Sequence, residues 1–440
     1  MALRRIALLL CLFGFGTAVF AQGPTYSRDV SRIYQAKCQI CHRDGDVAPF
    51  SLNNYDDAVT WAFDTNRAIR RGTMPPWKPV ADHGDFRDNY SLTGDEKQTI
   101  LDWIANGMEQ GDPADMPEPL TNTSAWGLGD PDVLLTVPQS YSPPADVTDT
   151  YRCFVLPETG FTQDTFLSAV DLRPGNRKMV HHVLIFTDTT GTAAKMDGKD
   201  GNQGYDCFGG PGIPVDPTNL LSALDALGGV AGWAPGTRPH FLPDGVGLMI
   251  PNQSRIVMQV HYHPNGIAGS DQTQVGLYLM RTDVKKRLYN IPVVNTGFKI
   301  PPATVRDVVA TFPPPPFSQF MPSAKAILIF PHMHRLGRQI KADLIDKDGH
   351  VITSLIYEDN WDFNWQGSYT YKEPVAIPAG AQLKVTCTFD NTADNPKNPN
   401  NPLVTVGWGE RTTDEMCIGF VGITLDNDTY TLLRTIKPAK

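Results

Sequence analysis

The sequence predicts a multidomain protein in which a small all-α domain precedes two all-β sandwich domains. Apolar residues follow helical spacing in residues 29–37, 56–71 and 95–106. Beyond a stretch rich in proline and glycine, short β-branched and aromatic runs alternate with turn residues over about 310 residues, enough for two sandwiches. The length of 440 residues also exceeds what one ordinary core spans.

The domain boundaries follow from changes in composition. The third predicted helix begins with the capping box Thr93-x-x-Glu96 and ends at Gly107, and the Pro- and Gly-rich stretch that follows is typical of a linker. We place the boundary between the sandwiches within residues 286–293. The predicted segments are a signal peptide (1–21), a helical domain (22–118), a linker (119–129), a first β domain (130–290) and a second β domain (291–430).

The N-terminus has the pattern of a secretory signal. Arg4 and Arg5 precede an apolar run that is too short for a membrane-spanning helix, and Ala21 ends a plausible cleavage site. Cleavage there would change the formal net charge from −9 to about −11, which argues against nucleic acid as a partner. We therefore expect a soluble periplasmic or secreted protein with no membrane span after cleavage.

Cysteine usage fits an exported protein, because six of the seven cysteines remain after cleavage and an even number favours disulfides. One close pair lies in "KCQICHRDG". The other four, which allow three pairings, are Cys153, Cys207, Cys387 and Cys417.

The close pair forms the motif Cys38-x-x-Cys41-His42, typical of covalent haem attachment, in which two thiols add to the vinyl groups and the histidine binds the iron. A bare redox pair or half a zinc site is the rival interpretation, but neither needs His42. The motif therefore predicts one covalently bound haem c.

The sixth iron ligand is predicted to be Met74 in "RRGTMPPW", where two prolines stiffen the following backbone. A thioether opposite histidine raises the reduction potential and suits electron transfer. Met108, Met116 and His83 are alternatives. This part of the chain resembles small c-type cytochromes in which "MPPW" supplies the distal methionine.

Three pairs of histidines lie within apolar strands of the β region, and one methionine follows in "TDEMCIGF". Imidazole with thioether favours copper over calcium, magnesium or zinc, so the composition predicts redox copper. The residues are His181, His182, His261, His263, His332, His334 and Met416.

Strand geometry places the side chains of one pair on the same face and those of another on opposite faces. Side chains alternate faces, so His332 and His334 project from one face and can share a metal ion. His181 and His182 are adjacent and can share an ion only if the strand is bulged or the two rings use different nitrogens.

From about residue 130 to 428 the chain resembles the copper type II ascorbate-dependent monooxygenases, the family of peptidylglycine α-hydroxylating and dopamine β-monooxygenases. The resemblance rests on "VHHVLIF", "WAPGTRPHFLPDGVG" with "MQVHYHP", "HMHRLGRQI" and "TDEMCIGF", in that order. It implies two jelly-roll-like domains that face each other across a cleft and hold two copper ions. It assigns an electron-transfer copper to His181, His182 and His261, and an oxygen-activating, catalytic copper to His332, His334 and Met416.

The resemblance also favours the disulfides Cys153–Cys207 and Cys387–Cys417, each within one domain. It requires only the first histidine of "VHYHP", which leaves His263 outside the ligand set. We expect His240 in a loop and His350 in an exposed hairpin turn.

The substrate is expected to differ from that of the peptide-hydroxylating branch. Positions that are polar in that branch and help to hold a substrate carboxylate are Phe330, Ile418 and Phe420 here. A peptidyl carboxylate is therefore not expected, and a more apolar small molecule is.

The resemblance implies an enzyme that hydroxylates a C–H bond of a small molecule with O2. The fused haem would relay electrons from a periplasmic donor, or from a small reductant such as ascorbate. A non-catalytic periplasmic electron carrier or copper-binding protein is the alternative. A hydrolytic zinc enzyme is a further alternative, in which Met416 would have no role.

Overall fold

The computed structural model describes residues 23–44, 48–120, 126–214, 229–264, 266 and 268–427. The predicted signal peptide, residues 121–125 of the predicted linker, and residues 428–430 of the last predicted domain lie outside these ranges. The chain forms two compact units. Of the described residues, one unit contains those up to Pro75 and Tyr90–Leu120, and the other contains Pro76–Asn89 and those from Trp126 onward.

The first unit is helical, and its core is built around the buried side chains of Tyr26, Tyr34 and Trp103. The predicted capping box is present, because Thr93 and Glu96 bond to each other's backbone N–H. The predicted helix 56–71 is instead two helices, which meet at Trp61 where the backbone leaves helical geometry. A π-helical turn (Tyr26–Val30) is followed by α1 (Ser31–Lys37), α2 (Tyr55–Thr60), α3 (Ala62–Arg70), α4 (Gly94–Ala105) and a 3-10 turn (Pro113–Asp115).

The second unit is predominantly β, as the sequence predicts, and begins with a sandwich of two five-stranded sheets. Its core is filled by alternate residues of both sheets, among them Leu167 and Leu277 from one and Val183 and Met258 from the other. The elements are β1 (Val133–Thr136), β2 (Thr150–Val155), β3 (Thr165–Arg173), β4 (Val180–Asp188), α5 (Thr192–Met196), β5 (Tyr205–Asp206), β6 (Ala231–Trp233), β7 (Val246–Ile250), β8 (Arg255–Tyr262), β9 (Gln274–Leu279) and β10 (Lys286–Arg287). The sheet orders are β1-β9-β3-β7-β10 and β5-β2-β8-β4-β6.

A second sandwich follows, with a core shared by two four-stranded sheets. Its strands are β11 (Tyr289–Asn295), β12 (Lys299–Ile300), β13 (Val305–Phe312), β14 (Ala324–His332), β15 (Gly337–Ile345), β16 (Val351–Glu358), β17 (Tyr369–Ile377), β18 (Gln382–Asp390), β19 (Val406–Gly407) and β20 (Cys417–Leu425). A short 3-10 turn, Phe317–Phe320, precedes β14. The sheet orders are β11-β20-β14-β17 and β13-β18-β15-β16, with β12 and β19 as a separate pair.

Two disulfides join Cys153 to Cys207 and Cys387 to Cys417, and both favoured pairings are therefore confirmed. Each bond stays within one sandwich, which fits a protein folded in an oxidising compartment. Within the described ranges, none of the helices has the length and hydropathy needed to cross a bilayer.

The segment Pro76–Asn89, which we call the strap, packs on the second sandwich although it precedes both sandwiches in the sequence. Val80 N–H donates to the Tyr357 carbonyl, and Arg87 N–H donates to the Thr370 carbonyl, both at 2.8 Å. The Trp77 ring packs edge-on against Tyr369, with ring centroids 5.4 Å apart. The sequence placed this segment in the helical domain (22–118). Its contacts with the second sandwich were not predicted, because its short polar run carries no periodic signal.

A carboxyl group is buried beneath the strap. Glu358, at the end of β16, is 1% exposed and forms an isolated β-bridge with Pro79. Burial raises the pKa of Glu358 to about 8, against the lowering effects of the Tyr369 hydroxyl and the Lys78 ammonium. Glu358 is therefore protonated at neutral pH.

This burial predicts a pH dependence of stability. The unfolded chain releases the Glu358 proton near its ordinary pKa of 4.5, whereas the folded protein keeps it up to about pH 8. Folding stability should therefore fall between these two values, by on the order of a few kcal/mol in total. Glu358→Gln does not titrate, so its stability should rise relative to the native protein across this window. Denaturant unfolding at pH 5 and pH 8 measures the difference, with the exposed Glu373→Gln as control. A difference between Glu358→Gln and native protein that is the same at both pH values would contradict the assignment.

Candidate functional site

Three histidines of the first sandwich converge on one point. The register of β4 against β8 shifts between Val180 and His182, so His181 is an extra residue that forms a bulge. The bulge brings both adjacent rings to one side, where His182 lies opposite His261 of β8. His182 Nδ1 lies 3.2 Å from His181 Nδ1 and 3.4 Å from His261 Nδ1. The bulge therefore brings the adjacent histidines together, and both rings present Nδ1 to the shared point.

These distances fit a shared metal ion. Two nitrogens bound at about 2.0 Å to one ion in tetrahedral or trigonal geometry are about 3.3 Å apart. Burial, followed by repulsion from the neighbouring histidines, holds the pKa values of His181 and His182 well below the ordinary value. The rings are therefore neutral, as metal ligation requires.

Asp149 fixes the tautomer of one ring. His261 Nε2 lies 2.9 Å from Asp149 Oδ1, so Nε2 carries the proton and Nδ1 keeps its lone pair. The same carboxylate oxygen accepts from His263 Nδ1 at 3.2 Å and from the Thr412 hydroxyl. These partners hold the pKa of Asp149 well below its usual range, although burial opposes them. His263 thus contacts the carboxylate behind the cluster, and the group of convergent nitrogens is His181, His182 and His261.

The second pair lies where β14 ends. His332 Nδ1 lies 2.7 Å from Gln366 Oε1, and His334 Nδ1 lies 3.0 Å from the Asp414 carbonyl. Both rings therefore have Nε2 left for a metal ion. Their centroids are 5.1 Å apart, and the rings are nearly perpendicular. Burial lowers the pKa of His332 to about 4 and that of His334 to about 3, so both are neutral.

Met416, the predicted sulfur ligand, directly precedes β20 and lines the same cavity as His332. Its neighbour Glu415 is fully buried and accepts hydrogen bonds from the backbone N–H groups of His334, at 2.9 Å, and Leu336. Glu415 therefore ties the histidine turn to the turn that carries Met416.

The two histidine groups lie next to each other. The ring centroids of His182 and His332 are 6.3 Å apart. Phe363 stacks on His181, with centroids 4.5 Å apart, and its centroid is 5.9 Å from that of His334. The expected cleft between the sandwiches is therefore closed by ring contacts at this point.

A cavity of about 590 Å³ borders both groups, and His182, His332 and Met416 lie in its wall. The wall is mainly apolar. Phe330 and Phe420, which pair on the neighbouring strands β14 and β20, stack side by side in it, with ring centroids 6.0 Å apart. Glu410 is a polar exception, and its carboxylate accepts from Gly209 N–H at 2.9 Å.

The helical unit places the Cys-x-x-Cys-His motif directly after α1. The N–H groups of Cys41 and His42 both donate to the Cys38 carbonyl, and neither cysteine forms a disulfide. His42 Nδ1 lies 3.1 Å from the Phe50 carbonyl, which leaves Nε2 for a metal. Two thiols outside any disulfide, beside an oriented imidazole, fit covalent haem attachment.

The candidates for the sixth iron ligand differ in surroundings. Met74 is 42% exposed, whereas Met108 packs against the helical core. Met116 is 39% exposed. His83 belongs to the strap, where its Nδ1 lies 2.8 Å from the Ser354 hydroxyl. Met74 and Met116 are therefore the two exposed methionines among the candidates.

Sequence reasoning missed the residues that orient the histidines. Gln366 and Asp149 lie 34 and 112 residues from the rings they contact, and no local pattern points to them. Glu415 had a signal, since it is an acidic residue immediately before Met416 and an apolar strand.

Comparison with known proteins addresses the second sandwich directly. Residues 293–423 match the C-terminal domain of the copper type II ascorbate-dependent monooxygenases. The match includes His332, His334 and Met416. This finding supports the copper type II monooxygenase family for the β region of the chain.

Curated relatives agree with this family. The chain is 28% identical over 266 residues to dopamine beta-hydroxylase of Canis lupus familiaris, covering 56% of this chain and 38% of that protein. It is 27% identical over 299 residues to DBH-like monooxygenase protein 2 of Mus musculus, covering 63% and 43% respectively. The chain thus spans about two fifths of the length of these relatives. Among solved structures, the major capsid protein P2 from bacteriophage PM2 has a TM-score of only 0.27 at 11% identity, with 67% of this chain and 97% of that chain covered.

Proposed function

We propose that the protein is an exported copper-dependent monooxygenase that hydroxylates a C–H bond of a small, fairly apolar molecule with O2. The observation that carries the proposal is the pairing of two histidine groups within one β unit that is related to the copper monooxygenases. The first group has three nitrogens within 4.8 Å of one another. The second has two imidazoles next to a cavity that a methionine shares.

The donor sets suit copper at both places. Neutral imidazoles accept copper readily, and a thioether favours Cu(I) over zinc. Bound copper would supply one-electron chemistry at His181, His182 and His261, and oxygen chemistry at His332, His334 and Met416. The chain's own contribution is to fix the ring nitrogens through Asp149, Gln366 and Glu415 and to keep the rings neutral.

The substrate class follows from the wall of the 590 Å³ cavity. Phe330, Ile418 and Phe420 line it beside His332, and this wall would exclude water and hold an apolar molecule against the metal. The size suits a single small molecule. The Glu410 carboxylate in the same wall would contact one polar group of the substrate.

Purified protein tests the proposal. We expect two copper ions and one haem per chain, and oxygen uptake that needs both a reductant and a substrate from an apolar compound pool, with a product heavier by one oxygen atom. Copper and haem that change redox state without substrate-dependent oxygen uptake would favour the alternative of a periplasmic electron carrier or copper-binding protein.

The helical unit would supply electrons through haem c, held by Cys38, Cys41 and His42, with Met74 as the axial thioether. Each turnover needs two electrons, so the copper ions must be refilled from a periplasmic donor or a small reductant. The position of Met74 in the sequence supports this role. Met74 lies two residues before the strap, and strap residue Lys78 is paired with Asp362, next to Phe363 and the histidines, at 3.6 Å.

Met74→Ala should lower the haem reduction potential, because a thioether ligand stabilises ferrous iron. Steady-state turnover with a macromolecular donor should fall by about tenfold or more, while a single turnover of chemically pre-reduced protein should be spared. A redox titration and stopped-flow kinetics measure the two effects. Met116→Ala, also an exposed methionine of the helical unit, is the matched control. Equal loss in both turnover assays would contradict the relay.

A further inference from the structure

A second cavity borders the first histidine group on another side. Its volume is about 410 Å³, which is within the usual range for small-molecule sites of about 300–1,000 Å³. His181 and Phe363 lie in its wall, whereas His182 lines the apolar cavity. The three-histidine group therefore touches two cavities through two different rings.

The charge of this cavity is opposite to that of the chain. Arg177, Lys178, Arg335 and Lys397 line it. Asp362 is the acidic residue in its wall, and the Lys78 ammonium already lies 3.6 Å from that carboxylate. The whole chain carries a formal net charge of −9, so four basic side chains around one small cavity are a local concentration of positive charge.

Two of the four basic groups are available to a ligand, whereas the Lys397 ammonium donates to the Trp361 carbonyl at 2.9 Å. Among the described residues, the side chains of Lys178 and Arg335 form neither a hydrogen bond nor an ion pair. Lys178 is exposed, and Arg335 is half-buried. Polar groups of Thr412 and Asn364 complete the wall. Such a lining recognises a small anion with several oxygens.

His181 connects the cavity to the proposed metal. Its Nδ1 faces the other histidines, and its Nε2 is buried with no hydrogen-bond partner among the described residues. A molecule in the basic cavity is therefore separated from the metal position by one aromatic ring, a short path for an electron.

We propose that this basic cavity binds a small organic anion of the enediolate type, which reduces the metal held by His181, His182 and His261 directly. The inference rests on the proposed copper function and adds a place for the reductant. In each step the anion loses one electron and one proton and becomes a radical anion, the electron converts Cu(II) to Cu(I), and the proton leaves to solvent. Two such steps supply the two electrons of a turnover without passing through the haem.

The test uses the full copper- and haem-loaded protein under argon, without substrate. Ascorbate is the anionic probe and hydroquinone the neutral one, and the loss of the Cu(II) EPR signal is followed by rapid freeze-quench. Lys178→Glu should slow reduction by ascorbate about tenfold at low ionic strength, and Lys178→Gln should lie between it and the native protein. Reduction by hydroquinone should change less than about twofold, and salt should diminish the ascorbate effect.

Lys347→Glu, in the exposed turn between β15 and β16, makes the same change in net charge away from the cavity and should leave both rates unchanged. Calorimetry on the fully reduced protein adds a readout without electron transfer: ascorbate should bind saturably, and Lys178→Glu should weaken that binding. Equal slowing with hydroquinone, the same effect from Lys347→Glu, or unchanged ascorbate rates would each overturn the inference.

This outcome is separable from that of the proposed function. A protein that takes electrons from ascorbate through Lys178 but hydroxylates no compound would retain the anion site and lose the monooxygenase. If the protein hydroxylates a compound but its reduction by ascorbate does not depend on Lys178, the monooxygenase proposal is retained and the anion site is lost.

Discussion

His334→Ala should remove one of the two copper ions and leave the other in place. The His334 ring is buried and neutral, with Nδ1 held by the Asp414 carbonyl and Nε2 left for the metal. Alanine deletes that ligand while the first histidine group keeps its three nitrogens. Losing several kcal/mol of metal-dependent stabilisation of the transition state corresponds to a decrease in turnover of about 10³-fold or more.

Copper content by mass spectrometry and substrate-dependent oxygen uptake measure these effects. His263→Ala is the matched control, since this histidine lies near the first group but its Nδ1 contacts Asp149 rather than the converging nitrogens. The control should keep two copper ions. Loss of both ions from His334→Ala, or of neither, would contradict the division into two separate sites.

Glu415→Ala should destabilise the protein strongly and impair the second copper site. The carboxyl group is fully buried and accepts backbone hydrogen bonds from His334 and Leu336. Alanine leaves these N–H groups buried without acceptors, at about 1–3 kcal/mol each. The total of several kcal/mol should lower the unfolding midpoint markedly.

Glu415→Gln separates the loss of hydrogen bonds from the loss of bulk, because its amide oxygen can still accept one N–H. It should lie between the native protein and Glu415→Ala in both stability and copper content of the second site. Denaturant unfolding of the copper-free forms gives the stability order. If Glu415→Ala were as stable as the native protein, Glu415 would not be the group that holds the two turns together.

The sequence predicted the strands that carry the histidines because their β-branched runs are local signals. It also predicted the capping box at Thr93, since that contact joins residues three positions apart. It did not predict the strap, because the position of Pro76–Asn89 depends on contacts with residues about 280 positions later. It also missed the break at Trp61, where the ring stacks on Phe50 at 4.1 Å in a contact that helical spacing does not encode.

The candidate site shows the same limit. Spacing alone left His181 and His182 on opposite faces, and the bulge that unites them depends on pairing with His261, about 80 positions later. The approach of His182 to His332 depends on how two sandwiches pack together. The basic cavity was missed for that reason as well, since its lysines and arginines come from separate loops of both sandwiches.

X-ray absorption at the copper edge of the reduced protein tests the central claim most directly. The account predicts two copper ions per chain that together bind five imidazole nitrogens and one thioether sulfur. Met416→Leu should abolish the sulfur contribution and leave the nitrogens. A native spectrum without sulfur, or a protein that binds haem but no copper, would contradict it.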